Sequence, residues 1–401
     1  MASSPTRVVV LHVVTGSKTG LCLPSLDGVR RLKEQYGERL VVVVDACQLR
    51  SDMENVREYA VAGFLTLVTG SKFFCGPPFS GAVVLPREQL AELEEAAQEE
   101  GVLPEGLDGY YTKYEVGEEY PHMRARLPSW KNAGLLVRWS AALPVMEAFV
   151  RIPKDRLESA IRRWVSGVRN LAFERWPCLT VLPEQGGVIP TRAVGGVNTI
   201  VPLVVHVPHE GHGPGGNPEV ALGYDDLRVF HELLGKDISR MLPEGLSGEE
   251  RTMARLRVLF GQPVKLGGAS FGVIRDALGA EMMVEAFAGG SDERVEQAVD
   301  QFLTQDRLAL DKLCLMAKHW HHLKRVAAWT ATTTATAAAQ KTAPVGTGKG
   351  GVSTLPAEAG EGARGALPFS PGAPSGGPPV TVTPNKQATA VAATLASGNN
   401  Q

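Results

Sequence analysis

Two residues of this sequence carry the chemistry it suggests most directly. Asp45 ends an apolar β-branched run, Val41–Val44, and Lys72 follows a second run, Phe64–Val68, across Thr69-Gly70-Ser71. Short apolar runs bounded by glycine and polar residues read as buried strands of an α/β sheet. Both residues then fall at carboxyl ends of strands, where open α/β sheets place their ligands. A lysine and a carboxylate meeting there suit a Schiff base between Lys72 and pyridoxal 5'-phosphate. Asp45 would hold the pyridine nitrogen protonated, so that the ring acts as an electron sink. Taken singly, each residue has a plainer use. An aspartate at a strand end is often a helix N-cap, and a lysine in a Gly/Ser turn is usually a solvated charge.

The ordered set Asp45-Ala46-Cys47-Gln48, Thr69-Gly70-Ser71-Lys72 and Gly76-Pro77-Pro78-Phe79-Ser80-Gly81 resembles the cofactor site of the class-V aminotransferase group. That group belongs to the pyridoxal-phosphate-dependent fold-type-I superfamily, and the resemblance runs from Val8 to Ala280. It implies that Lys72 forms the Schiff base, that Asp45 pairs with the pyridine nitrogen and that Gln48 contacts the ring hydroxyl. Thr69, with Ser71, would contact the phosphate; the family usually has histidine where Ser71 stands. Ser17 matches a loop that approaches cofactor and substrate. Arg275, in the string GQPVKLGGASFGVIRDALGA, is the candidate for the substrate carboxylate, which a bidentate guanidinium suits; a surface salt bridge is its alternative use. The string Val14–Lys18 repeats Val68–Lys72, so Lys18 rivals Lys72, but only Lys72 follows the Asp45 strand by one β–α–β step.

The activity implied is an aminotransferase acting on an amino-acid substrate, with a lyase step as its neighbour, in a homodimer. Cysteine desulfuration fits less well, because Cys178 stands between Pro177 and a strand and reads as a core thiol. The family's Gly/Ser/Thr phosphate loop and its ring-stacking residue have no counterpart in Met1–Ser17. The alternative is therefore a truncated chain or a non-catalytic remnant with weak or no cofactor binding.

These residues need a scaffold, and the order strand–helix–strand–helix–strand predicts a mostly parallel α/β sheet. Its strands are expected at Arg7–Val14, at the Asp45 and Lys72 runs and at Ser80–Leu85, with helices at Leu26–Tyr36, Met53–Ala62 and Glu88–Glu100. Without the family's first strands, both flanks of this sheet would be unpaired edges. Asp108–Arg126 reads as irregular, with Tyr110, Tyr111 and Tyr114 as loop aromatics. Asn132–Phe149 reads as a connecting helix broken or kinked at Pro144. A smaller α+β domain follows. It has helices at Pro153–Trp176, Tyr224–Leu234 and Asp292–Lys324, and strands at Leu179–Leu182 and Asn198–Val207. A further strand pair runs through Arg255–Phe260, Gly261–Val264 and Ser270–Leu278. The domains expected are 1–127, the connecting helix 128–150, 151–325, and a disordered Ala/Thr/Gly/Pro tail from Val326 to Gln401.

A length of 401 residues, 44% hydrophobic and 21% charged, suits a soluble protein with a large core. A net charge of −2 offers no argument for nucleic acid or membrane. Five unclustered cysteines point to reduced thiols and a cytoplasmic location. No apolar run reads as long enough for a bilayer, and the start lacks a basic segment ahead of a signal sequence. His206, His209 and His212 are too loosely patterned for zinc and read as loop residues.

Overall fold

A run of four valines makes the central strand of the first sheet. The computed structural model describes residues 8–50, 53–99, 106–182, 198–209 and 219–329. In it β1 (Val9–Val14), β2 (Leu40–Asp45) and β3 (Leu65–Thr69) pair in parallel. β4 (Gly81–Val84) runs antiparallel to β3 and completes the order β1-β2-β3-β4. The sheet is thus mixed, with two parallel pairs and one antiparallel pair.

Alternate residues of β2, Leu40, Val42 and Val44, are buried, as a period-two strand with one face on a core requires. They pack with Val13, with Val29 of α1 (Leu26–Tyr36), with Tyr59 of α2 (Met53–Val61) and with Phe64. The Ser25 hydroxyl caps α1 by accepting the Gly28 N–H. The other face of β1 is open: Val8 is 60% and Val10 54% exposed. Among the described residues β4 pairs on one side only, while the outer edge of β1 is met at Val14 by Leu23 in an antiparallel bridge.

After the acidic α3 (Arg87–Ala96) comes a stretch expected to be irregular. It contains a short helix, α4 (Pro121–Arg126), started by Pro121 in its first turn. Glu94 of α3 accepts the His122 and Met123 N–H groups, at 2.8 and 2.9 Å, which satisfies donors at the α4 start that no backbone carbonyl reaches.

The connecting helix is not broken. α5 (Ala133–Val150) runs continuously through Pro144. The proline removes one backbone hydrogen bond, but the helix is held on both sides of it. Ala142 lies against the Gly70–Gly76 loop, and Phe149 packs on Phe73 and Phe74. At 18 residues α5 is also long and apolar enough to cross a membrane by length and composition, and it is mostly exposed; this corrects the expectation that no such run exists.

The second sheet is antiparallel, in the order β5 (Leu179–Val181), β6 (Ile200–Pro208), β9 (Gly272–Ala277), β8 (Gly261–Lys265), with β7 (Glu219–Ala221) also on β6. Residues 256–260, expected to extend a strand, instead follow α8 (Gly248–Arg255) without regular structure. Helices α6 (Lys154–Phe173), α7 (Tyr224–Leu234) and α10 (Asp292–Lys318) pack on this sheet, and α9 (Ala280–Phe287) packs on α5. α6 buries Leu157, Ile161, Trp164, Val168 and Leu171, a stripe at helical spacing. Residues to His322 form one compact unit; of the second, Leu323–Gln401, only the helical residues 323–329 are described. Val326–Trp329 are therefore helix, not tail, and 330–401 lie outside the described residues.

Two buried polar features sit in this second region. Lys312 of α10 is fully buried, and its Nζ donates to the carbonyls of Leu234 (2.9 Å), Lys236 (2.7 Å) and Leu256. It closes the ends of α7 and α8 as a single cation at two carbonyl-rich helix termini. Replacing Lys312 with Met leaves these carbonyls without that donor and is expected to cost about 2–4 kcal/mol. Urea unfolding checks this, and an unchanged midpoint contradicts it.

The second feature is a pair of carboxyls, Asp276 on β9 and Asp306 on α10. Asp306 accepts the Trp164 indole N–H at 2.9 Å, while Asp276 Oδ2 is buried with no partner among the described residues. Burial pushes Asp306 up to about 6, and burial, then the Asp306 charge, pushes Asp276 well above the usual range. Both folded-state values lie above the unfolded ones. Their stabilising contribution is therefore complete below about pH 4 and is lost as pH rises through 6. Asp276→Asn should raise the melting temperature at pH 7–8 and flatten its fall between pH 4 and 7. A parallel pH profile in the variant would count against this account.

Candidate functional site

The site is built where β1, β2 and β3 end. Asp45 closes β2, its carbonyl accepting the Thr15 N–H at 3.0 Å. Its Oδ1 accepts the Cys47 N–H at 3.0 Å, a local turn typical of aspartate. Leu49 follows with φ +48 and only 2% exposure. A non-glycine residue in this region costs about 1–3 kcal/mol, and burial of its side chain keeps it there. Gln48 lies against Gly16, whose missing Cβ would stand 3.7 Å from the Gln48 Cβ.

The Lys72 loop folds back on itself. The Gly70 N–H donates to Ser80 O and the Gly76 N–H to Gly70 O, both at 2.9 Å. Gly70 must be glycine here, because a Cβ would come within 2.6 Å of the Ala142 Cβ on α5. Phe73 and Phe74 are buried and meet Phe149 edge-on at centroid distances of 5.1 and 5.7 Å, as aromatic quadrupoles prefer. With its two successors anchored inward, Lys72 is exposed; its carbonyl accepts the Cys75 N–H at 3.2 Å, while its amine has no hydrogen-bond or ion-pair partner among the described residues. Cys75 and Phe79 carry φ of +54 and +69, further strain at the same loop.

Thr69 and Ser71 are committed to the loop itself. Thr69 Oγ1 donates to Ser80 O at 2.7 Å and accepts the Ser71 N–H at 3.1 Å. The Ser71 hydroxyl, 2.7 Å away, is therefore the donor in their mutual bond. Ser71 can turn outward to a ligand, whereas Thr69, which is buried, acts through it.

Asp45 and Lys72 are brought together around one thiol. Burial first, then hydrogen bonding and charge from Asp45, push Cys47 up to about 11, and the Lys72 ammonium opposes them. The other predicted residues approach across the sheet ends. Ser17 Oγ accepts the N–H groups of Thr19 (3.2 Å) and Leu21 (3.0 Å), so it shapes its own turn. Gly20 in that turn has φ +85, and a Cβ there would run into the Asn198 amide. The turn presents the Lys18 carbonyl to Arg275 Nη1 at 3.5 Å, and Arg275 Nε donates to Gln262 O at 3.1 Å. Arg275 has no ion-pair partner among the described residues, so it is not in a surface salt bridge there, and burial lowers it below the usual arginine value.

Arg50, which the sequence reading passed over, completes the cluster. Its Nη1 donates to Thr199 Oγ1 and to Leu278 O, both at 2.7 Å, and its guanidinium lies 5.0 Å from the Phe73 ring centroid. Burial first, then the Arg275 charge, lower it to about 10. The only signal in sequence was a basic residue immediately after the Asp45–Gln48 turn. His206, by contrast, is taken up by Thr180 Oγ1 at 2.9 Å. His212 lies outside the described residues.

No family model and no curated protein matches the chain. The site is therefore read from its own geometry.

That geometry makes Cys47 an unreactive thiol at neutral pH, because the thiolate is the nucleophile. Peptide-resolved alkylation should show Cys47 titrating near pH 11, above an ordinary cysteine. A Cys47 midpoint near 8.5 would show that the Asp45 carboxylate is not where it is described.

Proposed function

We propose that this chain is a pyridoxal-phosphate-dependent enzyme of the class-V aminotransferase type, acting on an amino acid through Lys72. One observation carries the reading. Asp45 closes β2, and Lys72 follows the carboxyl end of β3, which pairs with β2 in parallel. The donor set fits the cofactor: an exposed amine, a carboxylate at the end of β2, Gln48 on the turn that follows it, and a serine hydroxyl that can rotate outward.

When bound, pyridoxal phosphate supplies an electron sink for charge developing at the substrate α-carbon. Lys72 Nζ takes and returns the proton at that carbon, and no partner must be released first. The Asp45 carboxylate would hold the proton at the pyridine nitrogen, and the Cys47 N–H on its Oδ1 fixes its plane. Gln48 would meet the ring hydroxyl, Ser71, steadied by Thr69, would meet the phosphate, and Arg275 would orient the substrate carboxylate. Ser17 holds the turn that carries Lys18 toward Arg275. A homodimer in the cytoplasm belongs to the same reading. It is supported by the apolar face of α5, where Leu136 and Val137 are each 67% exposed.

A second reading is favoured by the exposure of Lys72 and the open edge of β4. In it the chain is a scaffold of this ancestry that binds the cofactor weakly or not at all.

Absorbance titration with pyridoxal phosphate separates the two. The enzyme reading expects a visible band in the wild type that is absent in Lys72→Ala, and borohydride reduction that fixes the cofactor on the Lys72 peptide. No band, or an equal band in the variant, leaves the scaffold reading.

A further inference from the structure

Arg50 holds together segments that are far apart in sequence. It leaves the β2–α2 turn directly after Leu49, which is buried at φ +48, so a strained residue sets the direction of the chain there. Arg50 Nη1 donates to Thr199 Oγ1, beside the start of β6, and to Leu278 O, just past the end of β9, both at 2.7 Å. Those two partners are themselves tied, the Leu278 N–H donating to Thr199 O at 3.0 Å. On its other side the guanidinium carbon lies 5.0 Å from the Phe73 ring centroid.

Phe73 is held from its backbone as well. Its carbonyl accepts the Ala280 N–H at 2.9 Å, two residues beyond Leu278. Arg50, Leu278, Ala280 and Phe73 therefore close a ring of contacts. Lys72 stands immediately before Phe73, which can neither turn nor slide without breaking one of them. Arg50 meets no ligand through Nε, because that atom is shut off from solvent and has no partner. A buried cation without an acidic side chain to pair with, among the described residues, is an unfavourable tie if stability is its only use. A planar guanidinium can, however, hold a carbonyl and an aromatic face at once.

We infer that Arg50 is a positioning residue for Lys72 that acts through Phe73, fixing the loop that carries the amine to the exit of β9. The benefit to Lys72 rests on the reading of the site given above; the tie between Arg50 and the loop does not. What the tie supplies is pre-organisation. An amine held in one place avoids the loss of reactivity that a displacement of about 1 Å brings.

A double-mutant cycle on the full chain, between Arg50→Met and Phe73→Leu, tests the route. The quantity read is the affinity of pyridoxal phosphate for Lys72, from the absorbance band and the peptide fixed by borohydride, with urea unfolding in parallel. Each single variant should weaken the cofactor at Lys72 by about tenfold, and the double variant no more than either, because both act on one contact. Stability should fall further in the double variant, since Arg50 also serves Thr199 and Leu278. An arginine that is only structural would leave the affinity unchanged in folded Arg50→Met, and that result overturns the inference. A double variant weakened by about a hundredfold, the product of independent effects, overturns it too. If Arg50→Met does not fold, Arg50→Lys takes its place, because it keeps a donor for Leu278 O and loses the planar face. Hydrogen exchange without cofactor separates the tie from the enzyme reading. The Ala280 and Gly76 amides should exchange at least about tenfold faster in the Arg50 variant, relative to those of Val42 and Val44 in β2. Faster exchange with no cofactor band in the wild type sinks only the enzyme reading, whereas a band with unchanged exchange sinks only the positioning role.

Discussion

The edge-on packing of Phe73 and Phe74 against Phe149 is the contact on which the candidate site depends. It fixes the Lys72 loop to α5 immediately beyond the lysine, and Gly70 lets the loop settle onto Ala142. The inward pull on two consecutive aromatics forces their predecessor outward. The same Phe73 ring carries the Arg50 guanidinium on its face. One buried side chain therefore positions both an amine and a cation, and links the β2–α2 turn to the far end of β9 through Leu278.

Strain accumulates around this contact. Among the described residues Leu49, Cys75 and Phe79 are the non-glycine residues with positive φ, and all lie in the two loops that carry Asp45 and Lys72. Elsewhere the described backbone keeps such angles for glycine. Loops that hold unfavourable dihedrals need neighbours that over-determine them. Here these are the buried side chain of Leu49 and the hydrogen bonds that close residues 69–81.

The molecule also leaves apolar surface uncovered. The open face of β1, the free edge of β4 and the outward side of α5 are all rich in valine and leucine. An unpaired strand edge of this composition is a site for association. Patches of apolar residues on a helix are commonly interaction surfaces. These surfaces border the same sheet that carries Asp45 and Lys72, so whatever covers them would also change the solvent exposure of the lysine.

The strands and the long helices were legible in the sequence because their signals are local. Four successive valines, helical spacing in Leu26–Tyr36 and Tyr224–Leu234, and the Gly-Ser turns give the element and nearly its bounds without reference to neighbours. The order of Asp45, Gln48 and Lys72 was legible for the same reason, since β–α–β connectivity alone puts them at one end of one sheet. At Pro144 the helix is not broken, because the local cost of the proline was outweighed by packing on both sides of it. Arg50 gave no local sign: its partners Thr199 and Leu278 are distant in sequence, and only the meeting of β6 and β9 with the first sheet supplies them. Lys312 and Asp306 were hidden likewise, in a helix that reads as an ordinary amphipathic surface, and Asp276 in a strand whose burial only the packing of that helix decides. Periodicity and turn chemistry determined the elements and the ends where ligands bind. Which charges are buried, which are paired and which are left facing a ligand was decided by tertiary structure, because desolvation depends on what packs over a group and not on its neighbours in the chain.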